Sequence, residues 1–93
     1  MIKKQIQNKD YQINIQLNGE RIVVVEYGTE YVDLGASAAA IDRKSGATEP
    51  TEVTVSGQVN TNLLGTYTVR YAASKNHSIG PAYRRVEVVD TQL

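Results

Sequence analysis

The chain of 93 residues contains no cysteine, tryptophan or phenylalanine, two prolines and one histidine. The lack of cysteine excludes disulfide bonds, cysteine-ligated zinc and thiol chemistry. His77 lies in a stretch of Ser, Asn, Gly and Pro, and the chain has no second histidine that could share a transition metal with it. We therefore interpret His77 as a solvated loop residue, and we predict no metal-binding residues, no cofactor-binding residues and no cofactor.

Neither charge nor hydrophobicity points to a nucleic acid or a membrane as a partner. Ten basic residues balance ten acidic ones, so no long-range field attracts a polyanion or an anionic lipid surface. No run approaches the ~18 apolar residues that a membrane span needs. Residues 1–10 are polar, lack the apolar segment of a secretory signal and show no strand period, which predicts a leader or linker.

The length predicts a single domain whose apolar residues are needed for packing. Ordering such a chain costs on the order of 100 kcal/mol of conformational entropy. Apolar residues make up 41% of the sequence, enough for one core but not for a deep cleft as well. We predict no catalytic residues, because only His77 could act as a conventional base and no nucleophile motif accompanies it.

Residues 65–71 alternate strictly between two faces. Tyr67, Val69 and Tyr71 lie on one face, with Thr and Arg side chains on the other. A period of two in β-branched and aromatic residues is typical of a half-buried strand. This stretch predicts the central strand of a small two-sheet sandwich.

The same alternation predicts strands on either side of it. Residues 11–17 place four apolar residues on one face and three polar residues on the other, which predicts a first strand. Residues 51–57 predict another strand, with Val53 and Val55 facing inward.

Asn18-Gly19 separates the first strand from the apolar run Ile22–Val25. Asn-Gly between apolar runs favours a tight hairpin, because both residues accept a positive φ. The alternative is a turn that passes the chain from one sheet to the other. Both faces of Ile22–Val25 are apolar, so either the strand is covered on both sides, or Ile22 and Val24 contact a neighbouring domain.

The alanine-rich segment Ala36–Ile41 would be assigned to a helix on propensity alone. However, it is short, lies between Gly35 and Gly46, and lacks a capping box. We therefore predict a strand, in which small side chains let the opposing sheet approach closely.

Two polar, turn-rich stretches, residues 42–50 and residues 74–81, predict exposed loops. The second loop would join the central strand to a last strand that runs back beside it. The predicted pairs are Val69 with Val88, Tyr71 with Val86 and, on the outer face, Arg70 with Glu87.

Five short motifs occur in order between about residues 13 and 90. They are Leu17-Asn18-Gly19, Val23-x-Val25-Glu26-x-Gly28-x-x-Tyr31-x-Asp33-x-Gly35-Ala36, Val53-x-Val55-Ser56-Gly57, Gly65-Thr66-Tyr67-Thr68-Val69-x-Tyr71 and Arg85-x-x-Val88-Val89-Asp90. In this order they resemble the bacterial immunoglobulin-like repeat of pesticidal crystal proteins and surface proteins, and they are similar to hyalin repeats.

The resemblance implies an all-β fold: an Ig-like β-sandwich of about seven antiparallel strands with Greek-key connections, over residues 11–90. Residues 91–93 would then be a C-terminal linker. Tyr67 would be the tyrosine of the E–F corner, and Val69 would stand where antibody domains carry a cysteine. Such repeats are mostly spacers or adhesive modules of secreted or surface chains.

Acidic and aromatic residues are the remaining candidates for binding groups. The carboxylates do not have the spacing of a calcium loop and are interpreted as surface acids: Asp33, Asp42, Glu49 and Glu52. Tyr67 and Tyr71 are predicted to be core residues. If two of the remaining tyrosines lie exposed beside Arg84, they would form a sugar- or protein-binding patch; these are Tyr27, Tyr31 and Tyr83.

The sequence thus predicts a non-catalytic structural or spacer module, one repeat of a larger secreted or cell-surface bacterial protein. The alternative is a glycan- or protein-binding adhesion module that uses loops 42–50 and 74–81 or exposed tyrosines. The expected partners are neighbouring domains of the same chain and, in the alternative, a glycan or host protein. We expect no nucleic acid, no membrane insertion and a monomer in isolation.

Overall fold

A computed structural model describes residues 10–91, which form two packed β-sheets. The strand orders are β1-β3-β4 in the three-stranded sheet and β2-β7-β6-β5 in the four-stranded sheet. These residues contain no helix, and hence none that could cross a membrane. The strands are β1 (Tyr11–Leu17), β2 (Ile22–Glu26), β3 (Ala36–Asp42), β4 (Thr48–Thr51), β5 (Thr54–Ser56), β6 (Gly65–Lys75) and β7 (Ser78–Val89).

The prediction of an all-β sandwich of seven strands is confirmed. The predicted leader at residues 1–10 lies outside the described residues except for Asp10, and so do residues 92–93 of the predicted linker. The predicted domain boundaries therefore stay predictions.

The chain changes sheets at Asn18-Gly19, so the second of the two alternatives for this turn is correct. β1 pairs with β3, whereas β2 pairs with β7 in the other sheet. The β2–β7 pair is parallel, with Val23 opposite Val86 and Val25 opposite Val88. The expected antiparallel arrangement is wrong at this pair because the turn passes the chain between the sheets without reversing its direction.

The alanine-rich segment forms β3, as predicted. It is the middle strand of its sheet, between β1 and β4. Ala40 is completely buried, which shows how closely the layers approach at this small side chain. Pairing on both edges and burial therefore outweigh the helix propensity of alanine.

The predicted strand 51–57 is divided between the two sheets. β4 ends at Thr51 in the three-stranded sheet, and β5 begins at Thr54 at the edge of the four-stranded sheet. Val53 packs against the core as predicted. Val55 was predicted to face inward but is 52% exposed, because it lies on an edge strand with no neighbour beyond it.

The β6–β7 hairpin has a two-residue turn, Asn76-His77, in which Asn76 adopts a positive φ of 55°. The predicted loop 74–81 is therefore mostly strand. Val69 pairs with Arg84 rather than with Val88, so the predicted register is wrong by four residues. The strands extend to the turn because one residue with positive φ is sufficient to reverse the chain there.

The register error leaves the predicted faces intact, because a shift of four is even. Arg70 pairs with Tyr83 on the outer face, and the predicted Arg70–Glu87 pair does not form. The buried core cluster consists of Val69, Tyr71 and Val86. Tyr71 also pairs with a residue other than the predicted Val86, namely Ala82.

Tyr67 makes the predicted corner contact. Its hydroxyl donates a hydrogen bond to the backbone oxygen of Leu63, four residues earlier, at 2.6 Å. This bond lies at the surface rather than in the core, because Tyr67 is only half-buried. The contact fixes the turn that leads into β6.

Candidate functional site

Arg84 is the only charged side chain in the described part of the chain that is fully buried, with 1% of it exposed. It lies on the inward face of β7, opposite Val69. Its Nη1 donates hydrogen bonds to Asp33 Oδ1 at 3.0 Å and to the Tyr71 hydroxyl oxygen at 2.8 Å. A buried charge is costly unless it is paired, and here Asp33 provides the pairing.

Asp33 accepts hydrogen bonds from several directions. Its Oδ1 accepts one from the Tyr31 hydroxyl at 2.5 Å and a short one from the Tyr71 hydroxyl. Its Oδ2 accepts one from the Gly35 N–H at 3.1 Å. We call Tyr31, Asp33, Tyr71 and Arg84 the Arg84 cluster.

The electrostatics of the Arg84 cluster determine which of its groups are charged at neutral pH. Burial is the largest influence on the pKa of Asp33 and raises it, but the hydrogen bonds from Tyr31, Tyr71 and Arg84 outweigh burial and lower this pKa below its ordinary value. Burial, followed by the Asp33 carboxylate, raises the pKa of both Tyr31 and Tyr71. At neutral pH the cluster therefore holds one carboxylate, one guanidinium and two protonated phenols.

The other side of the guanidinium holds the corner between β1 and β2. Its Nε donates to the Glu20 backbone oxygen at 2.9 Å, and its Nη2 donates to the backbone oxygens of Asn18 and, at 3.5 Å, Gly35. Arg84 thereby connects the last strand to the corner where the chain changes sheets and to the loop that enters β3.

The guanidinium of Arg84 is saturated with hydrogen bonds inside the fold. A guanidinium has five N–H groups, and each of those of Arg84 has an acceptor. Across residues 10–91, no buried side-chain nitrogen or oxygen lacks a hydrogen-bond partner. The cluster therefore acts as a structural brace.

Sequence reasoning considered Arg84 only under the condition that exposed tyrosines lie beside it, and it did not predict that Arg84 is buried. A signal was present: the alternation that turns Val86 and Val88 inward also places Arg84 on that face. The charge of the side chain obscured this, because arginine is rarely fully buried without a partner. The partner, Asp33, lies 51 residues away in the chain.

The four candidate carboxylates do not come together as one group. Asp33 is the acceptor of the Arg84 cluster, so its interpretation as an ordinary surface acid was wrong. Asp42 accepts a bond from the Lys44 N–H at 2.9 Å, and Glu49 pairs with Lys75 at 2.8 Å. Glu52, the fourth, lies between β4 and β5. Within residues 10–91 no group of acidic or histidine side chains is arranged to hold a metal ion.

The exposed tyrosines lie apart from each other, and Arg84, although it follows Tyr83 in the chain, is buried rather than exposed beside them. Tyr27 and Tyr83 are 47% and 50% exposed. The Tyr27 N–H donates a hydrogen bond to the backbone oxygen of Val89, at the end of β7. Val89 lies six residues beyond Tyr83 on the same strand, so at ~3.4 Å per residue the two tyrosines are ~20 Å apart along β7. Tyr31 is half-buried and bonded to Asp33. The predicted tyrosine–Arg84 patch is therefore wrong.

The two predicted binding loops shrink to short turns but lie at the same end of the sandwich. Residues 43–47 connect β3 to β4, and residues 76–77 connect β6 to β7. The ion pair between Glu49 and Lys75 links the two hairpins beside these turns. His77 is exposed at the tip of the second turn.

Comparison with known proteins agrees with this architecture. Residues 15–88 match the family model described as "Bacterial surface protein, Ig-like domain". The chain belongs to this family. A bacterial surface Ig-like domain thus accounts for all seven strands apart from the ends of β1 and β7.

One solved structure similar to this Ig-like domain is a lipoprotein of Bacteroides thetaiotaomicron. It is 26% identical in sequence, with a TM-score of 0.68. The match covers 88% of this chain and 40% of the lipoprotein chain, so the domain corresponds to less than half of that protein. A comparison with curated proteins finds no match.

Proposed function

We propose that this Ig-like domain is a non-catalytic spacer within a larger secreted or cell-surface bacterial protein. The observation that carries the proposal is the Arg84 cluster. The one fully buried charge in the described residues is used to brace a corner of the fold, with every N–H group bonded internally. Membership of a surface-protein family supports the proposed location outside the cell.

The proposed partners are neighbouring domains of the same chain, with the isolated domain monomeric. The end of the domain at which β7 finishes supports contact with a neighbour. Three apolar side chains are largely exposed there: Tyr27 (47%), Leu63 (60%) and Leu64 (55%). The loop after β2 and the loop before β6 are joined by a hydrogen bond of 2.8 Å from the Gly28 N–H to the Thr61 backbone oxygen. A neighbouring domain would cover part of this apolar surface.

Small-angle X-ray scattering of one, two and three copies in tandem tests the spacer role. The two ends of the described chain lie at opposite ends of the sandwich, so a spacer should lengthen by a constant increment with each copy. Copies that fold back side by side would leave the maximum dimension nearly constant and would contradict the proposal.

A second candidate function is binding of a glycan or host protein at the turn end, and one observation favours it. The turns at 43–47 and 76–77 are brought together there, with Arg43 and Lys44 exposed on one of them. Glycan-array binding that disappears when residues 43–47 are replaced by a Gly/Ser sequence of equal length would support this candidate. A matched replacement at residues 60–64, at the other end, serves as the control.

A further inference from the structure

The first part of the chain runs along β7 in the same direction as β7 over nearly its whole length. At one end Ile13 approaches Gly80 so closely that a Cβ on Gly80 would lie 2.7 Å from Ile13 Cγ2. Farther along, Arg84 holds the corner through the Asn18 and Glu20 backbone oxygens. β2 then pairs with residues 85–89. We call the contacts of residues 13–27 with residues 80–91 the seam.

Backbone bonds at both ends of β2 define which groups face β7. The Arg85 N–H donates to the Arg21 oxygen at 2.9 Å, and the Tyr27 N–H donates to the Val89 oxygen at 2.7 Å. A parallel ladder uses every second residue of a strand, so Val23 and Val25 bond to β7 between these two points. The N–H of Val24 faces away from β7.

The seam extends past the last strand. The Glu26 carboxylate accepts hydrogen bonds from the Thr91 N–H at 2.8 Å and the Thr91 hydroxyl at 2.9 Å. The segment that follows β7 is thus fastened to the end of β2. A pull on this end of the chain therefore acts on the Glu26–Thr91 bonds together with the rest of the seam.

The ends of the described chain lie at opposite ends of the seam. Tyr11 lies at the turn end, where the Lys75 ammonium group stands 5.8 Å from the centre of its ring. Thr91 lies at the other end, beside Glu26. Tension between the chain ends therefore draws residues 13–27 and β7 in opposite directions along their common axis.

We propose that the seam is a load-bearing element that lets this domain resist tension along the chain. Because the two segments are parallel neighbours pulled lengthwise, the backbone bonds of β2 and the side-chain bonds of Arg84 are strained together. No single bond can open first, as it would in a ladder pulled apart from one end. The biological use of this resistance rests on the proposed spacer function.

Pulling direction tests the seam directly. The chain has no cysteine, so one introduced thiol gives a unique attachment point. In magnetic tweezers, we expect handles at the two chain ends to require a higher unfolding force than handles at Thr66→Cys and the C-terminal end. Thr66 is exposed and opposite Glu87, so the second geometry peels the β6–β7 ladder pair by pair. Equal forces in both geometries would overturn the proposal.

A matched pair of proline variants tests the β2 bonds. Val25→Pro removes an N–H that faces β7, whereas Val24→Pro removes one that faces away, on an edge strand where proline is tolerated. We expect Val25→Pro to lose the difference between end-to-end and peeling forces and Val24→Pro to keep it. An equal effect of the two variants would contradict the proposal.

Glu26→Ala covers the case in which Val25→Pro does not fold. It removes the side-chain bonds to Thr91 from a half-buried position, and Glu30→Ala, in the exposed loop outside the seam, is its control. We expect Glu26→Ala alone to lower the end-to-end force; no change would count against the seam. A low end-to-end unfolding force, together with a constant increase in maximum dimension per tandem copy, would reject the seam and retain the spacer function. A high end-to-end force without that increase would retain the seam and reject the spacer function.

Discussion

Arg84 is the residue at which the two sheets, a corner and a loop are joined. Arginine suits this position because its planar group presents five donors in fixed directions, whereas lysine has three on a flexible stem. Its acceptors are the Asp33 carboxylate, the Tyr71 hydroxyl and three backbone oxygens. Removing Asp33 would leave the buried guanidinium without its counter-charge.

Asp33→Asn tests the acid side of this cluster. We expect a loss of about 2–3 kcal/mol at pH 7, below the ~3–5 kcal/mol for a fully buried pair because 26% of the Asp33 side chain is exposed. The pKa of Asp33 is lowered on folding, so its contribution is present above the ordinary value of 3.8 and is lost as pH falls below it. Urea unfolding from pH 7 to pH 2 should show this acid loss in the wild type and a smaller one in the variant. If the free energy of unfolding fell equally with pH in the wild type and the variant, Asp33 would not be the source of the acid loss.

Tyr67→Phe tests the corner bond to Leu63. Because the bond is at the surface, we expect a loss of about 0.5–1.5 kcal/mol, the net value of an ordinary hydrogen bond. Tyr83→Phe, on the exposed outer face, is the control and should change the free energy of unfolding by less than this. Thermal denaturation of both variants gives the comparison, and equal melting curves would remove Tyr67 from the corner role.

At the scale of the strands, the local sequence pattern predicted where strands occur and which side chains face inward better than it predicted how the strands pair. The alternation in Tyr11–Leu17 and Gly65–Tyr71 correctly indicated half-buried strands, and short length with flanking glycines correctly favoured a strand at Ala36–Ile41. Register was not predictable from charge pairing, because Arg70–Glu87 and Arg70–Tyr83 put the same side chains outward. The two-residue turn decides between them, and its tightness depends on Asn76 accepting a positive φ.

The close approach of β1 to β7 gives a test at the same scale. Gly80→Ala would place a Cβ 2.7 Å from Ile13 Cγ2, so we expect a loss of about 1–3 kcal/mol from overpacking. In a double-mutant cycle with Ile13→Ala, the Gly80→Ala cost should fall, because the crowding methyl group is gone. Relief will be partial, since the Ile13 Cβ, which alanine retains, lies 2.8 Å from the same Cβ and the Ile13 backbone oxygen lies 3.1 Å from it. Strictly additive effects would contradict this contact.

At the scale of the whole molecule, the sandwich was predictable and its sheet crossings were not. Motif order and periodicity indicated two layers and seven strands. The three crossings, at Asn18-Gly19, at residues 27–35 and at Glu52-Val53, depend on which partner each strand finds across the fold, and short-range pattern does not carry that information. The same limit hid the Arg84 cluster, whose members come from three separate parts of the chain.

Because Arg84 and the seam connect both sheets, we expect the molecule to unfold as one unit. Tyrosine fluorescence and far-ultraviolet circular dichroism should give the same urea midpoint and the same slope. Arg84→Met is expected to lower the midpoint of both signals together. An early fluorescence change without loss of strand signal would show that one sheet opens independently and would contradict this expectation.

The parallel pairing of β2 with β7 also governs the order in which the fold can be completed. During synthesis, residues 22–26 emerge about sixty residues before their partners at 85–89, and parallel neighbours cannot be joined by a short local turn. β2 must therefore wait for β7, the last strand, before it can pair. If the chain passed N-terminus first through a narrow channel, β2 would emerge without its partner. The fold would be completed only when β7 emerged and paired with β2.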